Sequence, residues 1–302
     1  MSAAVEVSVL VTVYNRERYL AECLDSILCS TFQQFEVVVV DDGSRDRSRE
    51  IAADFAARDS RIRVFHNDVN LGDYPNRNRA AELARGRWLK YVDSDDRIEP
   101  HGLQTMLQAV AEFPAAALAL SYPRPEGRRR PFCLQPDQAW HEHFLNHQGF
   151  FCAGPLLALI RTDAFRQVGG FRPQARNMGD AILWLELCRH WPLVITEPNL
   201  TFWRQHDGQE YQLMRDGGWD NVMTHCLQTQ VYLRDFLRSG CPLSSRELRQ
   251  VRGQLHFNNW RRLAWHLKHG RLKQMAYEAA WAVRSLLGMH SNRIAAPRPT
   301  ES

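Results

Sequence analysis

Short β-branched runs alternate with segments of helical periodicity along the first 122 residues of the 302-residue chain, and this alternation limits the folds it can adopt. The predicted elements, in order, are strand 5–13, helix 17–29, strand 35–40, helix 46–58, strand 61–66, helix 75–85, strand 87–92, helix 100–113 and strand 117–122. Runs such as VEVSVLVTV and FEVVVV are typical of strands that are buried on both faces. Strands joined by helices indicate right-handed βαβ units. The sequence therefore predicts an α/β fold with a mainly parallel central sheet flanked by helices.

Residues 123–153 break this alternation, and the sequence predicts a loop-like flap there. The flap is rich in histidine, and His141, His143 and His147 raise the possibility of a metal site, although their spacing implies no ligand geometry. Further patterns predict strand 156–160, helix 162–168, helix 180–190 and strand 193–197. We therefore expect a main domain at 1–215, with one half at 1–122 and the other at 123–215.

The remaining residues, 216–302, show helical patterns only, at 219–239, 244–269 and 271–287. Ser244 and Glu247 have the spacing of a capping box at the start of the second helix. The region is basic, with 13 Lys or Arg against 6 Asp or Glu. Two interpretations stay open: amphipathic helices on an anionic membrane surface, or helices packed on the main domain with a solvated basic face. The sequence offers no nucleic-acid recognition motif, so no nucleic-acid partner is expected.

The cysteines and the apolar segments bear on the compartment. The seven cysteines are scattered and form no CxxC pair, which favours a reduced environment over a disulfide framework or a zinc knuckle. No stretch approaches the roughly 18 apolar residues of a spanning helix, and the first residues do not resemble a secretory signal. We expect a cytoplasmic protein, either soluble or peripheral at the cytoplasmic face of the membrane.

Acidic residues follow two of the predicted strands. Asp41 and Asp42 end the second strand, and Asp93, Asp95 and Asp96 follow the fourth. Ligands of open α/β sheets bind outside the carboxyl ends of the strands. Clustered carboxylates repel one another unless a cation offsets them, and a divalent cation would also bind phosphate oxygens. The pattern predicts a metal-bound diphosphate ligand, with plain turns and helix caps as the alternative for either cluster alone.

Absent motifs exclude two other nucleotide-binding classes. The first strand is followed by YNRERYL rather than GxGxxG, and no GxxxxGK[ST] occurs. A dinucleotide fold and a P-loop fold are therefore disfavoured.

Five segments in order resemble a known family. VSVLVTVYNRERYLAECLDSIL, FEVVVVDDGSRDRS and NLGDYPNRNRAAELARGRWLKYVDSDD are similar to the N-terminal half of an inverting family 2 glycosyltransferase with the GT-A fold, which is a Rossmann-like nucleotide-sugar fold. GPLLALIRTDAFRQVGGF and MGDAILWLELCRH resemble the acceptor half of that family. The likeness covers about residues 6–207, so 1–215 is expected to be the catalytic domain.

The resemblance implies a donor site built by five residues. Thr12 and Tyr14 match the positions that cradle the nucleotide base, and Asp41 matches the acid that accepts a hydrogen bond from the base. Such a carboxylate suits the imide N–H of uracil, which favours a UDP-sugar over other donors, although dTDP shares that edge. Arg77, with its neighbour, matches a pair near the base and phosphates, and Asp93 matches the acid facing the ribose or donor sugar.

The resemblance also implies a metal site and a catalytic base. Asp95 in the DxD element matches a ligand for Mn²⁺ or Mg²⁺, and His206 keeps the spacing of a late Arg-x-His that reaches the metal or diphosphate. Asp180 matches the catalytic base, with a plain helix N-cap as the alternative. Many members carry Glu-Asp at this point, whereas this chain has Gly179 before the aspartate. Trp184, one turn further on, either stacks on a sugar or fills the core.

These assignments predict a metal-dependent hexosyltransferase that inverts the anomeric centre, as the family resemblance implies. The donor would be a nucleoside-diphosphate sugar, and the acceptor a hydroxyl of a glycan or lipid-linked molecule in cell-surface polysaccharide or glycolipid synthesis. Two alternatives are a sugar nucleotidyltransferase, which would need a basic Gly-rich loop after the first strand, and a non-catalytic nucleotide- or glycan-binding module.

Overall fold

A computed structural model describes residues 5–206, 209, 236–237, 240–273, 275–276 and 279. The chain forms two compact units. One unit holds residues 1–209 and 240–247, and the other holds residues 210–239 and 248–302.

The elements of the described residues follow in chain order. The strands are β1 (Val7–Val13), β2 (Phe35–Asp41), β3 (Ile62–His66), β4 (Trp88–Tyr91), β5 (Arg97–Ile98), β6 (Leu118–Ser121), β7 (Phe132–Leu134), β8 (Ala158–Arg161), β9 (Leu193–Thr196) and β10 (Thr201–Phe202). The helices are α1 (Leu20–Leu28), α2 (Ser48–Arg58), α3 (Asp73–Leu83), α4 (Gly102–Ala111), α5 (Pro136–Phe144), α6 (Thr162–Gln167), α7 (Gly179–His190) and α8 (Ser245–Lys268). Short 3-10 helices lie at Phe150–Cys152, Pro155–Leu157 and Pro173–Met178.

Eight strands form one mixed sheet in the order β3-β2-β1-β4-β8-β6-β9-β7. The first four run parallel, as does the β6–β9 pair, whereas β8 and β7 run antiparallel to their neighbours. Val13 at the end of β1 lies opposite Asp41 at the end of β2. The parallel half therefore brings the residues that follow β1, β2 and β4 to one edge. A separate antiparallel pair joins β5 to β10.

The core lies between this sheet and its helices. Val7, Val9, Val11 and Val13 of β1 are at most 2% exposed and belong to the same core cluster as the buried face of α1. Burying each such side chain contributes about 1.5–3 kcal/mol. The β-branched runs therefore supply the packed core beneath the carboxyl ends of the strands.

The predicted flap at 123–153 is wrong as a description of the whole segment, because it contains β7 and α5. A three-residue strand is too short to show alternation. Helix α5 does carry a signal, since Gln135 and Gln138 exchange capping-box hydrogen bonds around Pro136. The strand predicted at 156–160 is also shifted, because Pro155–Leu157 forms a 3-10 turn and β8 begins at Ala158.

The C-terminal region, residues 216–302, contains one long helix in its described part, α8. As the capping box predicts, Ser244 and Glu247 exchange hydrogen bonds, with the Glu247 N–H donating to Ser244 Oγ at 3.3 Å and the Ser244 N–H donating to Glu247 Oε2 at 2.9 Å. Gly270, with φ +68°, follows the helix end. The helices predicted at 219–239 and 271–287 lie largely outside the described residues. Among the described helices, none is both long and apolar enough to span a bilayer.

Candidate active site

The loops that follow β1 and β2 are tied together by hydrogen bonds. Asn15 takes a left-handed conformation with φ +53°, which asparagine tolerates better than most residues. Its N–H donates to Ser44 Oγ and its Oδ1 accepts from the Arg45 N–H, each at 2.9 Å. The Arg16 N–H donates to Ser48 Oγ at 2.9 Å. The backbone at the edge of the sheet is therefore fixed.

The two predicted base-cradling residues lie at this edge. Thr12 is in β1 opposite Val40, and Tyr14 follows the strand with 43% of its surface exposed. An exposed tyrosine ring beside a strand end offers a face on which a planar base can stack.

Asp41 has one carboxylate oxygen engaged and one without a hydrogen-bond partner. Oδ2 accepts from the N–H groups of Gly43 and Ser44 at 3.2 and 3.1 Å, and it pairs with Arg49 Nε at 2.7 Å. Oδ1 is buried and has no partner. Buried polar atoms are rarely left unpaired, so this oxygen is a candidate acceptor for a ligand N–H.

Asp42 has a structural role instead. Its Oδ1 accepts from Asn67 Nδ2 at 2.6 Å and from the Leu71 N–H at 2.9 Å, and its Oδ2 accepts from the Gly72 N–H at 2.9 Å. These bonds fasten the loop after β3 to the end of β2.

Arg77 is a buried cation, 8% exposed, that binds two carboxylates. Its Nη2 lies 2.7 Å from Asp93 Oδ1, and its Nε lies 2.7 Å from Asp73 Oδ1. Its Nη1 is buried without a partner, while its backbone carbonyl accepts from the Tyr91 hydroxyl at 3.0 Å. Burial raises the pKa of Asp93, and the Arg77 guanidinium offsets part of that rise. Arg77 thus presents an unused donor beside the DxD element.

Asp95 and His206 come together although 111 positions separate them. His206 Nε2 lies 3.0 Å from Asp95 Oδ2, and Arg16 Nε lies 3.1 Å from the same oxygen. The His206 ring also packs against Tyr19, with centroids 4.4 Å apart.

The segment after β10 is held on the DxD element by Arg204. Its N–H donates to Asp96 Oδ1 at 2.9 Å, and its Nε donates to the Asp95 carbonyl at 3.0 Å. Burial, with repulsion from Asp93, raises the pKa of Asp96 to about 8. Asp96 therefore anchors the segment that carries His206, and it does not cap α4, which begins at Gly102.

Asp180 lies in the first turn of α7. Its Oδ1 accepts from the Ala181 N–H at 2.8 Å. Burial raises the pKa of Asp180 to about 6, although the Arg77 charge lowers it. A carboxylate whose pKa lies near neutrality is suited to accept a proton. The Arg77 charge thus lowers the pKa of Asp180 as well as that of Asp93.

Tyr74 explains the glycine that precedes Asp180. The Gly179 N–H donates to the Tyr74 hydroxyl at 2.9 Å, and the Tyr74 ring stacks on Phe171 with centroids 5.1 Å apart. A Cβ at residue 179 would lie 2.4 Å from Tyr74 Cζ. The tyrosine ring thus occupies the space of any side chain at this position.

Trp184, whose role the sequence leaves open, and Asn78, which the resemblance places with Arg77 near the base and phosphates, both make contacts within the protein. Trp184 is fully buried, and its Nε1 donates to the Ala153 carbonyl at 2.6 Å, so it fills the core and presents no face to a sugar. Asn78, next to Arg77, exchanges hydrogen bonds with the backbone of Phe171 at 2.8 and 2.9 Å.

The flap histidines do not form a metal site. His141 Nδ1 lies 2.6 Å from Glu247 Oε1. His143 accepts from the Phe151 N–H at 3.2 Å, and burial lowers its pKa to about 4. Within the described part of the chain, no group of three or more His, Cys, Asp or Glu side chains is arranged to hold a metal.

The Asp95–His206 pair nevertheless suits a metal that a substrate helps to bind. Mg²⁺ is commonly held by one or two carboxylates plus phosphate oxygens, and Mn²⁺ accepts imidazole as well as oxygen ligands. A carboxylate and an imidazole 3.0 Å apart are the right donor types. Such a site would need a diphosphate and water to complete its coordination.

Sequence reasoning missed three contributors, namely Arg16, Arg49 and Tyr74. Arg16 is the first cation after β1, so its place at the strand end was a signal that could have identified it. Arg49 and Tyr74 lie on helices, and nothing in their spacing indicates a contact with Asp41 or Gly179.

Comparison with known proteins assigns the chain to a family. Residues 8–169 match the family model described as Glycosyl transferase family 2, and this segment is more than half of the chain. The chain belongs to glycosyltransferase family 2. The first curated relatives are bacterial glycosyltransferases 36% to 42% identical over 106 to 126 residues, and this chain spans only 30% to 38% of their length.

One relative aligns over a larger share. TuaG of Bacillus subtilis, whose description connects it with teichuronic acid biosynthesis, is 27% identical over 186 residues, which cover 61% of this chain and 72% of TuaG.

Solved structures confirm the GT-A fold. Staphylococcus aureus TarS residues 1–349, in complex with UDP-GlcNAc, superimposes with a TM-score of 0.66 at 19% identity, covering 93% of this chain and 81% of TarS. The mannosyltransferase PcManGT from Pyrobaculum calidifontis, in complex with GDP-Man and Mn²⁺, gives a TM-score of 0.63 at 18% identity, covering 94% of this chain and 88% of that one.

Proposed function

We propose that this protein transfers a sugar from a nucleoside-diphosphate sugar, a UDP-sugar in particular, to an acceptor hydroxyl with inversion of configuration. The observation that carries the proposal is the position of Arg77, which pairs with Asp93 at 2.7 Å and acts on Asp180 through its charge. One cation thus connects the DxD element of the donor half with a proton acceptor in the acceptor half.

The proposed donor site uses the groups that lack protein partners. Asp41 Oδ1 accepts the imide N–H of the base, Tyr14 stacks on the ring, and Thr12 lies beside it. Arg77 Nη1 donates toward the donor, with Asp93 facing the ribose or sugar. The complexes of TarS with UDP-GlcNAc and of PcManGT with GDP-Man support a nucleotide-sugar donor through the shared fold, and the choice of UDP rests on Asp41.

Asp95 and His206 are the residues that would hold Mn²⁺ or Mg²⁺, and PcManGT was solved with Mn²⁺. A divalent ion held by these two residues would neutralise the charge that develops on the leaving diphosphate.

The proposed base is Asp180. With its pKa near 6, its carboxylate is largely ionised at neutral pH and can take the proton of the acceptor hydroxyl. Direct attack by an acceptor hydroxyl that this base activates would be a single displacement with inversion, as the resemblance to inverting glycosyltransferases implies.

The proposed acceptor is a glycan or a lipid-linked molecule in cell-surface polysaccharide or glycolipid synthesis, in keeping with the description of TuaG. Residues 1–215 would form the catalytic domain and 216–302 the basic appendage. On α8, Phe257 and Trp260 are 63% and 71% exposed, close to Arg261. Such a mixture suits an anionic membrane interface, so we place the enzyme at the cytoplasmic face of a membrane.

The test is release of nucleoside diphosphate from UDP-sugars and GDP-mannose with Mn²⁺, in the presence and absence of glycan acceptors. Wild-type protein should release UDP, and Asp180→Asn should lose about 10²–10⁴ in rate with little change in donor affinity. Binding without turnover for every sugar would favour a nucleotide-binding module, and no binding of any nucleotide sugar would refute the proposal. An unchanged rate at saturation in Asp180→Asn would remove that residue from the base role.

A further inference from the structure

Arg16 contacts the carboxylate oxygen of Asp95 that also contacts His206. Arg16 Nε lies 3.1 Å from Asp95 Oδ2, and Arg16 Nη1 donates to the carbonyls of Tyr14 and Asn15 at 3.3 and 3.2 Å. The guanidinium thus bridges the loop after β1 and the DxD element.

This ion pair and a metal ion compete for one oxygen. An ion of the size of Mg²⁺ lies about 2.1 Å from its oxygen ligands, and two cations on one carboxylate oxygen repel each other strongly at that range. A metal ion on Asp95 Oδ2 would therefore weaken the hold of Arg16 on that oxygen and favour its release.

The side chain of Arg16 can move while its backbone stays in place. The Arg16 N–H is held by Ser48, whereas its side chain is 28% exposed. A guanidinium at this edge of the sheet has planar donors that match phosphate oxygens. Once released from Asp95, it could donate to the oxygens of a donor diphosphate bound at this edge.

We propose that Arg16 couples metal binding to nucleotide binding by exchanging partners: it holds Asp95 until the metal takes that carboxylate, and it then binds the diphosphate. The inference rests on the proposed function, because it needs a nucleoside diphosphate and a divalent ion at this edge. By linkage, UDP must raise the affinity for Mn²⁺ by the same factor as Mn²⁺ raises the affinity for UDP.

The experiment measures free Mn²⁺ by electron paramagnetic resonance during titration of the full chain, with and without UDP, and measures UDP and uridine binding by calorimetry at saturating Mn²⁺. The variants are Arg16→Gln and Arg16→Lys. Arg18→Gln is the matched control, because Arg18 is a nearby cation whose guanidinium lies over the Tyr19 ring, 5.9 Å from its centroid. Thermal unfolding of each variant reports that it is folded.

Arg16→Gln should bind Mn²⁺ alone about 3- to 5-fold more tightly, the scale of a partly exposed ion pair. It should bind UDP with Mn²⁺ about 10-fold or more weakly, the scale of a hydrogen bond to a charged group, and bind uridine unchanged. Arg16→Lys should lie between wild type and Arg16→Gln, and Arg18→Gln should match wild type.

Three outcomes overturn the inference. If Arg16→Gln and Arg18→Gln changed the binding of Mn²⁺ and UDP equally, Arg16 would act only through the net charge of the region. Tighter binding of both Mn²⁺ and UDP would show that Arg16 never binds the diphosphate. If Arg16→Gln bound Mn²⁺ and UDP as the wild type does, Arg16 would have no part in the site. In all three cases wild-type binding of UDP and Mn²⁺ leaves the proposed function standing, whereas a wild-type chain that binds neither refutes both.

Discussion

Replacing Gly179 with alanine should displace the turn that carries Asp180. The added Cβ would lie 2.4, 2.5 and 2.8 Å from Cζ and the two Cε atoms of Tyr74. The tyrosine has little room to retreat, since it is 8% exposed and stacks on Phe171. Overpacking of this kind costs about 1–3 kcal/mol, and loss of the bond from the Gly179 N–H to Tyr74 adds about 1 kcal/mol. A loss of about 2–4 kcal/mol corresponds to roughly 3–6 °C in Tm for a chain of 302 residues.

Thermal unfolding and steady-state kinetics test this expectation. We expect Gly179→Ala to lower Tm within that range and to lower kcat about 10-fold or more, because a small misplacement of a reacting group is costly. Gly253→Ala is the control, since a Cβ there meets nothing within 4 Å. Adding Tyr74→Ala to Gly179→Ala should cost less than the sum of the two single changes. A Gly179→Ala protein with wild-type Tm and kcat would refute the packing argument.

Three further predictions concern the proposed chemistry. The rate should rise with pH through about 6 and level off above it, because Asp180 must lose its proton to act as a base; a pH–rate profile with no inflection near 6 would contradict this. Asp41→Asn should weaken UDP binding about 10-fold or more and reduce the preference for UDP over CDP. The reason is that an amide can donate an N–H where the carboxylate can only accept. Calorimetry with UDP and CDP measures both effects, and unchanged affinities for the two nucleotides would contradict the role of Asp41. Asp95→Ala should abolish the Mn²⁺ dependence of UDP binding without lowering Tm by more than a few degrees, and full turnover in excess chelator would contradict a role for the metal.

The sequence predicts the parallel half of the fold well, because parallel strands that are buried on both faces require continuous apolar runs. VSVLVTV and FEVVVV meet that demand, and β1 and β2 lie where they were expected. The other half is harder to predict. The antiparallel course of β8 depends on its pairing with β4 and β6, and a strand of four residues carries no information on direction.

The same limit applies to the proposed site. The carboxyl ends of parallel strands meet at one edge of the sheet. Acids that follow such strands, as Asp93 and Asp95 follow β4, can therefore be predicted from sequence to lie at a common site. Helix-borne partners such as Arg49 and Tyr74 depend on how the helices rotate against the sheet. Their contacts with Asp41 and Gly179 are long-range packing results, and spacing along the chain does not encode them.

Arg77 shows why the donor and acceptor halves depend on each other. Burial raises the pKa of both Asp93 and Asp180, and in each case the same guanidinium opposes the rise. Without that charge, the pKa of both carboxyls would rise further, and the proposed base would be protonated over more of the neutral range. Arg77 is itself aligned by Asp73, one turn earlier on α3 at 2.7 Å. Helix α3 therefore does more than cover the sheet, because its Arg77 lowers the pKa of Asp180 and its Tyr74 accepts a hydrogen bond from the residue before that acid.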